Sequence, residues 1–124
     1  MREIKFRVWD TQLYVMYTDE KDNSLGNAHE PLWRLECKRG GKISYPLGII
    51  MQYTGLKDKN GKEIYEGDIL TIITEKPMIV KWSDKFASWC LYRDGWMFAH
   101  WFGESCQPEQ CIVIGNIYEN PELI

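Results

Sequence analysis

The chain has 124 residues, of which 15 are basic and 18 acidic, giving a formal net charge of -3 at pH 7. Hydrophobic residues make up 44% and aromatic residues 14%, which excludes the polar, charge-rich composition of a disordered chain and allows a self-sufficient core without metal or disulfide staples. The slight acidic excess argues against holding nucleic acid by overall charge and confines such a role to a local basic stripe.

The first ten residues, "MREIKFRVWD", alternate charged and apolar side chains. They contain no apolar run long enough for a signal-peptide core or a membrane span, so a cytoplasmic protein without membrane contact is expected. In that reducing compartment Cys37, Cys90, Cys106 and Cys111 read as free thiols. The alternation has the period of a strand, with Phe6 and Val8 on one face and Lys5, Arg7 and Trp9 on the other. A second short strand over 13–17 would close a hairpin across Asp10 and Thr11. Residues 18–31, "TDEKDNSLGNAHEP", are turn formers and charges without helical periodicity, and predict a mobile loop.

Further strand candidates recur to the end of the chain: "KISYPLGIIMQYT", "EGDILTIIT", "MIVKW", "SWCLYR", "WMFAHWF" and "CIVIGNIYE". Each is short, rich in β-branched or aromatic residues, and bounded by Gly, Pro, Asp or Asn. Residues 103–110, "GESCQPEQ", have room for a single helical turn. With no internal repeat or linker, the pattern predicts one mainly β domain over 1–124, a barrel or sandwich of meandering strands.

The stretch "QYTGLKDKNGKEIYEGDIL", Gln52 to Leu70, holds two turns. Asn60 and Gly61 form the dipeptide that accepts positive φ at both central positions of a type I′ hairpin turn. Glu66, Gly67 and Asp68 then deliver the chain into an apolar strand, where glycine permits a bend and the aspartate side chain can accept backbone N–H groups. The rival reading places Glu66 and Asp68 in a metal site or acid–base pair, because residues two apart in a strand share a face. Lacking a His, Cys or third acid beside them, they read better as a turn.

Four other constellations bear on function. Cys90, His100, Cys106 and Cys111 make a zinc set on paper, but their spacing does not match a close knuckle, and buried or incidental thiols are the simpler account. A nucleophilic Cys90–His100 pair would depend wholly on the fold, and no nucleophile-elbow, phosphate-loop or dinucleotide motif is present. Arg2, Lys5, Arg7 and Trp9 combine phosphate-contacting cations with a stacking ring, the makings of a nucleic-acid contact; the alternative is a solvated edge strand whose cations deter aggregation. Trp82, Phe86, Trp89, Tyr92, Trp96, Phe98, Trp101 and Phe102 are too many rings for strict alternation to hide on one face, so part of this group is expected at an association surface.

Three blocks resemble the YopX family, small proteins encoded by bacteriophages and prophages of Gram-positive bacteria: "REIKFRVWD", "IMQYTGLKDKNGKEIYEGDIL" and "IGNIYENPELI". The residues that carry the likeness are Phe6, Trp9, Gln52, Tyr53, Thr54, Gly55, Leu56, Asp58, Gly61, Ile64, Glu66, Gly67, Asp68, Ile69, Gly115, Asn116 and Asn120. The resemblance implies a mainly β, barrel-like, SH3-like fold in an intracellular protein of phage origin. It offers no agreed active site and so no catalytic residues to carry over, and no cofactor is expected. Together these observations lead to the expectation of a non-enzymatic accessory protein that binds a host or phage protein, or a second copy of itself, through Trp96, Trp101, Phe102 and the Asn60–Gly61 hairpin. Nucleic-acid binding by Arg2, Lys5, Arg7 and Trp9 stands as the alternative, and a metal-dependent hydrolase built on Glu66 and Asp68 as a third.

Overall fold

Alternation of apolar and polar residues becomes paired strands throughout the computed structural model, which describes residues 4–11, 13–18, 48–73, 75–93 and 96–124. The chain divides into two compact units, Met1–Tyr53 and Thr54–Ile124.

In the first unit, β1 (Phe6–Asp10) is flanked on one side by β2 (Val15–Thr18) and on the other by the start of β3 (Gly48–Lys57), all antiparallel. The expected first hairpin is present, with Val8 opposite Tyr17 and Trp9 opposite Met16. Its turn is shaped by Asp10, whose Oδ1 accepts the Leu13 N–H at 3.0 Å and whose carbonyl accepts that of Tyr14 at 2.9 Å. Tyr14 has φ 57°, a left-handed conformation that this turn requires. The solvated edge strand expected for β1 is corrected here: paired on both sides, β1 is central in its sheet, and Arg7, Val8, Trp9 and Asp10 are all buried. Of the loop expected over 18–31, Thr18 is the last residue of β2 and the rest lies outside the described residues, as does Cys37.

In the second unit, β3 continues past Thr54 and turns back as β4 (Glu63–Tyr65). The rest of the unit is a five-stranded antiparallel sheet of β5 (Asp68–Ile72), β6 (Glu75–Ser83), β7 (Ser88–Arg93), β8 (Met97–Trp101) and β9 (Ile112–Asn116), in the order β8-β7-β6-β5-β9. It curls into a half-barrel, and the described helical elements are single 3-10 turns at Pro108–Gln110 and Pro121–Leu123. The mainly β, barrel-like architecture is thus the one expected, with a short turn where 103–110 left room for it. Leu70, Met78, Val80, Trp89 and Leu91 line one face of the sheet and pack with Ile64, Phe102, Cys106 and Cys111 into the main core. Strand alternation sends Ile69, Ile79 and Cys90 to the other face. They too are buried.

The hairpin between β3 and β4 is not the expected type I′ turn. Gly61 has φ 82°, but Asn60 is not left-handed. Gly61 donates to the Asp58 carbonyl at 3.0 Å and Asp58 to that of Lys62 at 2.8 Å, the pattern of a right-handed turn closed by a glycine bulge. The physical reason is Asp58. Its Oδ1 accepts the N–H groups of Asn60 at 2.8 Å and Lys62 at 2.9 Å, while Oδ2 accepts that of Val113 at 3.0 Å, so one carboxylate shapes the turn and fastens it to β9.

The end of β9 is held by a similar device. Asn116 Oδ1 accepts from Tyr118 and Glu119 at 3.0 and 2.8 Å, and the Asn116 N–H donates to Asn120 Oδ1 at 3.2 Å. Gly115 lies so close beneath Asn120 that a Cβ there would meet its Oδ1 at 2.5 Å.

Candidate functional site

The candidate site is built on the face of β6, β7 and β8 opposite the main core. Tyr92 pairs with Phe98 and Cys90 with Trp101, although 98 and 101 are an odd number of residues apart. A register shift between Leu91 and Tyr92 inserts one extra residue into β8, and this bulge turns Phe98 and Trp101 to the same side. Their ring centroids are 5.1 Å apart. Phe86 joins them from the β6–β7 turn, at 5.5 Å from Phe98 and 5.6 Å from Trp101. That turn is set by Ser83, whose Oγ accepts the Phe86 N–H at 3.2 Å, and by Ala87 at φ 49°. Tyr92 extends the group, 6.2 Å from both Phe98 and Trp96.

Edge-to-face and tilted contacts of this kind hold the rings in fixed positions. They do not hide them, since Phe86, Phe98 and Trp101 each remain 40% exposed and Trp96 is 53% exposed. Two cations rest on the cluster: Lys85 lies 5.5 Å from the Phe86 centroid and Lys81 lies 5.9 Å from that of Trp96. Cys90 is fully buried on this face, and burial pushes its thiol pKa up.

A second polar group lies at the sheet end where β6 begins. Glu75 accepts from Arg93 Nη2 at 3.2 Å and meets His100 Nε2 at 3.0 Å, tying β6, β7 and β8 together. Glu75 also borders a cleft of about 580 Å³ lined by Lys59, Thr71, Ile72, Ile73, Glu109, Gln110 and Ile112. No local spacing announces this arrangement, because Glu75 is 18 residues from Arg93 and 25 from His100 in the chain.

The structure separates several of the expected groupings. Phe102 is in the main core at 5% exposure, so its ring cannot serve as a contact surface; its N–H donates to the Trp89 carbonyl of β7 at 2.9 Å, and its side chain turns inward. Asn60 and Gly61 are exposed at the tip of the β3–β4 hairpin. That hairpin is fastened to β9, which is the opposite edge of the sheet from β8, so the two parts of the expected binding surface do not adjoin. Arg7 and Trp9 are buried, while Lys5 sits 5.3 Å from the Tyr53 ring. They do not form an open basic stripe with a stacking ring, and Arg2 lies outside the described residues.

Glu66 and Asp68 likewise have different employments. Asp68 is buried and its Oδ2 accepts the Tyr65 N–H at 2.8 Å, while Glu66 forms an ion pair with Lys81 at 3.7 Å. Gly67, at φ 87°, donates to the Val80 carbonyl and accepts from Ile117 through its own. This is the turn expected from local physics. The zinc set is not assembled either: Cys106 and Cys111 meet in the core, Cys90 faces the other side of the sheet, and His100 is engaged with Glu75. Among the described residues no group of three or more His, Cys, Asp or Glu side chains is arranged to hold a metal ion. Nor does any described helix have the length and apolarity to cross a membrane.

No curated protein matches the chain significantly. Among solved structures, the crystal structure of protein EF1440 from Enterococcus faecalis is similar, with 26% sequence identity, a TM-score of 0.60, and 99% of each chain covered. The two share the same fold. The family description "YopX protein" matches residues 5–124, reaching into both compact units and covering the central and C-terminal blocks and most of the first, and on that match the chain belongs to the YopX family.

Proposed function

We propose that this YopX protein is a non-enzymatic binding module of phage or prophage origin, which engages a protein partner in the host cytoplasm through the aromatic face of β6, β7 and β8. The observation that carries this is the triangle of Phe86, Phe98 and Trp101, fixed by mutual contacts at 5.1 to 5.6 Å yet open to solvent, with Trp96 beside it. Rigid, partly exposed aromatic rings lose little entropy on binding and bury large apolar area, the combination found at interface hot spots.

The test compares the parent protein with a Trp96→Ala, Trp101→Ala variant in affinity capture from host lysate, each with and without nuclease. Proteins retained by the parent after nuclease and lost by the folded variant support the proposal. Identical retention by both removes it, and retention that nuclease abolishes transfers the role to nucleic acid. A sedimentation measurement on both proteins reads out a second copy of the chain as the partner.

A further inference from the structure

Cys106 and Cys111 stand at the two ends of the 3-10 turn that joins β8 to β9. Their Sγ atoms are 3.6 Å apart, and both side chains are buried. The contact is held from the backbone on either side. Gly103 donates to the Cys106 carbonyl at 2.8 Å, Cys111 donates to that of Pro108 at 3.0 Å, and the Cys111 carbonyl accepts from Lys59 at 2.9 Å. Two thiols fixed in contact by the chain react with each other as an intramolecular pair, at an effective concentration no separate thiol matches.

We propose that Cys106 and Cys111 are a redox modification site, closing to an intrachain disulfide in the presence of a small peroxide. The Cys106 thiolate attacks one oxygen of hydrogen peroxide, the O–O bond breaks, and hydroxide leaves and is protonated to water, giving a sulfenic acid. The Cys111 thiolate attacks that sulfur, the S–O bond breaks, and a second hydroxide leaves as water. Two thiols and one peroxide thus become one disulfide and two waters. Cys106 reacts first because the Cys111 S–H is committed to the Gln107 carbonyl oxygen at 3.4 Å, which leaves the Cys106 sulfur beside it as the freer of the two to lose its proton. Burial raises both thiol pKa values, that of Cys111 to about 12, which slows the step and favours a small oxidant over a bulky disulfide. Closure would fix the turn from which Glu109 and Gln110 reach the cleft.

The chain offers a direct test. Cleavage after glutamate cuts at Glu109, between the two cysteines, so fragments 105–109 and 110–119 stay joined only if Cys106 is bonded to Cys111. After peroxide treatment of the whole protein, the expected result is a mass loss of about 2 Da and linked fragments that separate on reduction. The four titratable thiols should fall to two. The oxidised protein should melt about 5 °C higher than the reduced one, since even a short closed loop restricts the unfolded chain. A Cys37→Ser, Cys90→Ser variant should close equally well. Separate fragments without reductant, linkage to Cys37 or Cys90, or over-oxidation of either sulfur without linkage would overturn the proposal. Because the mapping uses the unaltered sequence, it does not depend on a core cysteine variant folding.

Discussion

The hairpin and C-terminal turn, on one hand, and the β6–β8 face, on the other, use their distinctive residues in opposite ways. Around residues 54–68 and 113–120, side-chain polar groups are spent on backbone: Thr54 Oγ1 donates to Ile64 O and accepts from Leu56, Asp58 accepts from three N–H groups, and Asp68 and Asn116 close their own turns. On the β6–β8 face the rings touch one another and solvent. The central and C-terminal blocks that carry the family resemblance fall in the first region, so that part of the recognisable text describes how the chain folds. The aromatic face is surplus to that task, and a surface that folding does not require is the better place to look for binding.

Substitutions should separate the two regions cleanly. The largest effect is expected for Asp58→Ala, which strips three N–H groups of their acceptor and unfastens the hairpin from β9. The loss should be about 3 kcal/mol in urea unfolding at pH 7. Burial pushes the Asp58 carboxyl up, but the N–H groups of Val113, Lys62 and Asn60 and the Lys62 charge outweigh it and hold its pKa below the ordinary 3.8. A folded pKa below the unfolded one means that the contribution is fully present above about pH 4 and disappears as pH falls through the folded value. The gap in stability between the parent and Asp58→Asn should therefore shrink on going from pH 7 into that acid range; a constant gap would show that the carboxylate charge is not what the turn uses.

Next in size is Gly115→Ala. The new Cβ would overlap Asn120, whose Oδ1 cannot withdraw without releasing the Asn116 N–H. A cost of about 2 kcal/mol is expected. Adding Asn120→Ala should recover part of it, so the double variant should lose less than the two single losses summed. Strict additivity would mean the overlap is relieved elsewhere. Smaller again is Glu75→Gln, which weakens contacts to His100 and Arg93 on partly exposed side chains and should cost about 1 kcal/mol in thermal unfolding.

Much of this architecture was legible because alternation survives in short strands. The β1–β2 hairpin, the 66–68 turn, and the succession from β5 to β9 all followed from residue period and punctuation. What escaped was whatever depends on the other side of a strand. Alternation puts Arg7 and Trp9 on one face, but cannot show that this face is covered, and so a central strand read as an open one. The Asn60–Gly61 dipeptide predicted its own preferred turn, and a carboxylate two residues earlier imposed another. In β8 a single bulged residue decides which rings meet, and a bulge without glycine or proline leaves no mark in the sequence. The Glu75, Arg93 and His100 group requires three strands already in register. For Phe102, one residue beyond β8, period gave no answer at all, and the core claimed it.

The smallest expected change in stability is also the sharpest test of the contrast. Trp96 has φ 62°, a left-handed conformation that costs a residue with a Cβ about 1 kcal/mol and costs glycine nothing. Its ring is half exposed and touches Tyr92 and Lys81. Trp96→Gly removes the ring and the backbone strain together, so the two should nearly cancel, leaving stability within about 0.5 kcal/mol of the parent. Trp96→Ala removes the ring alone and should be the less stable of the two by about 1 kcal/mol. Equal unfolding midpoints for the two variants would mean that the strain is not stored at this position. If the glycine variant is as stable as the parent and captures the same partner equally well, Trp96 serves neither folding nor binding, and the functional surface must contract to Phe86, Phe98 and Trp101.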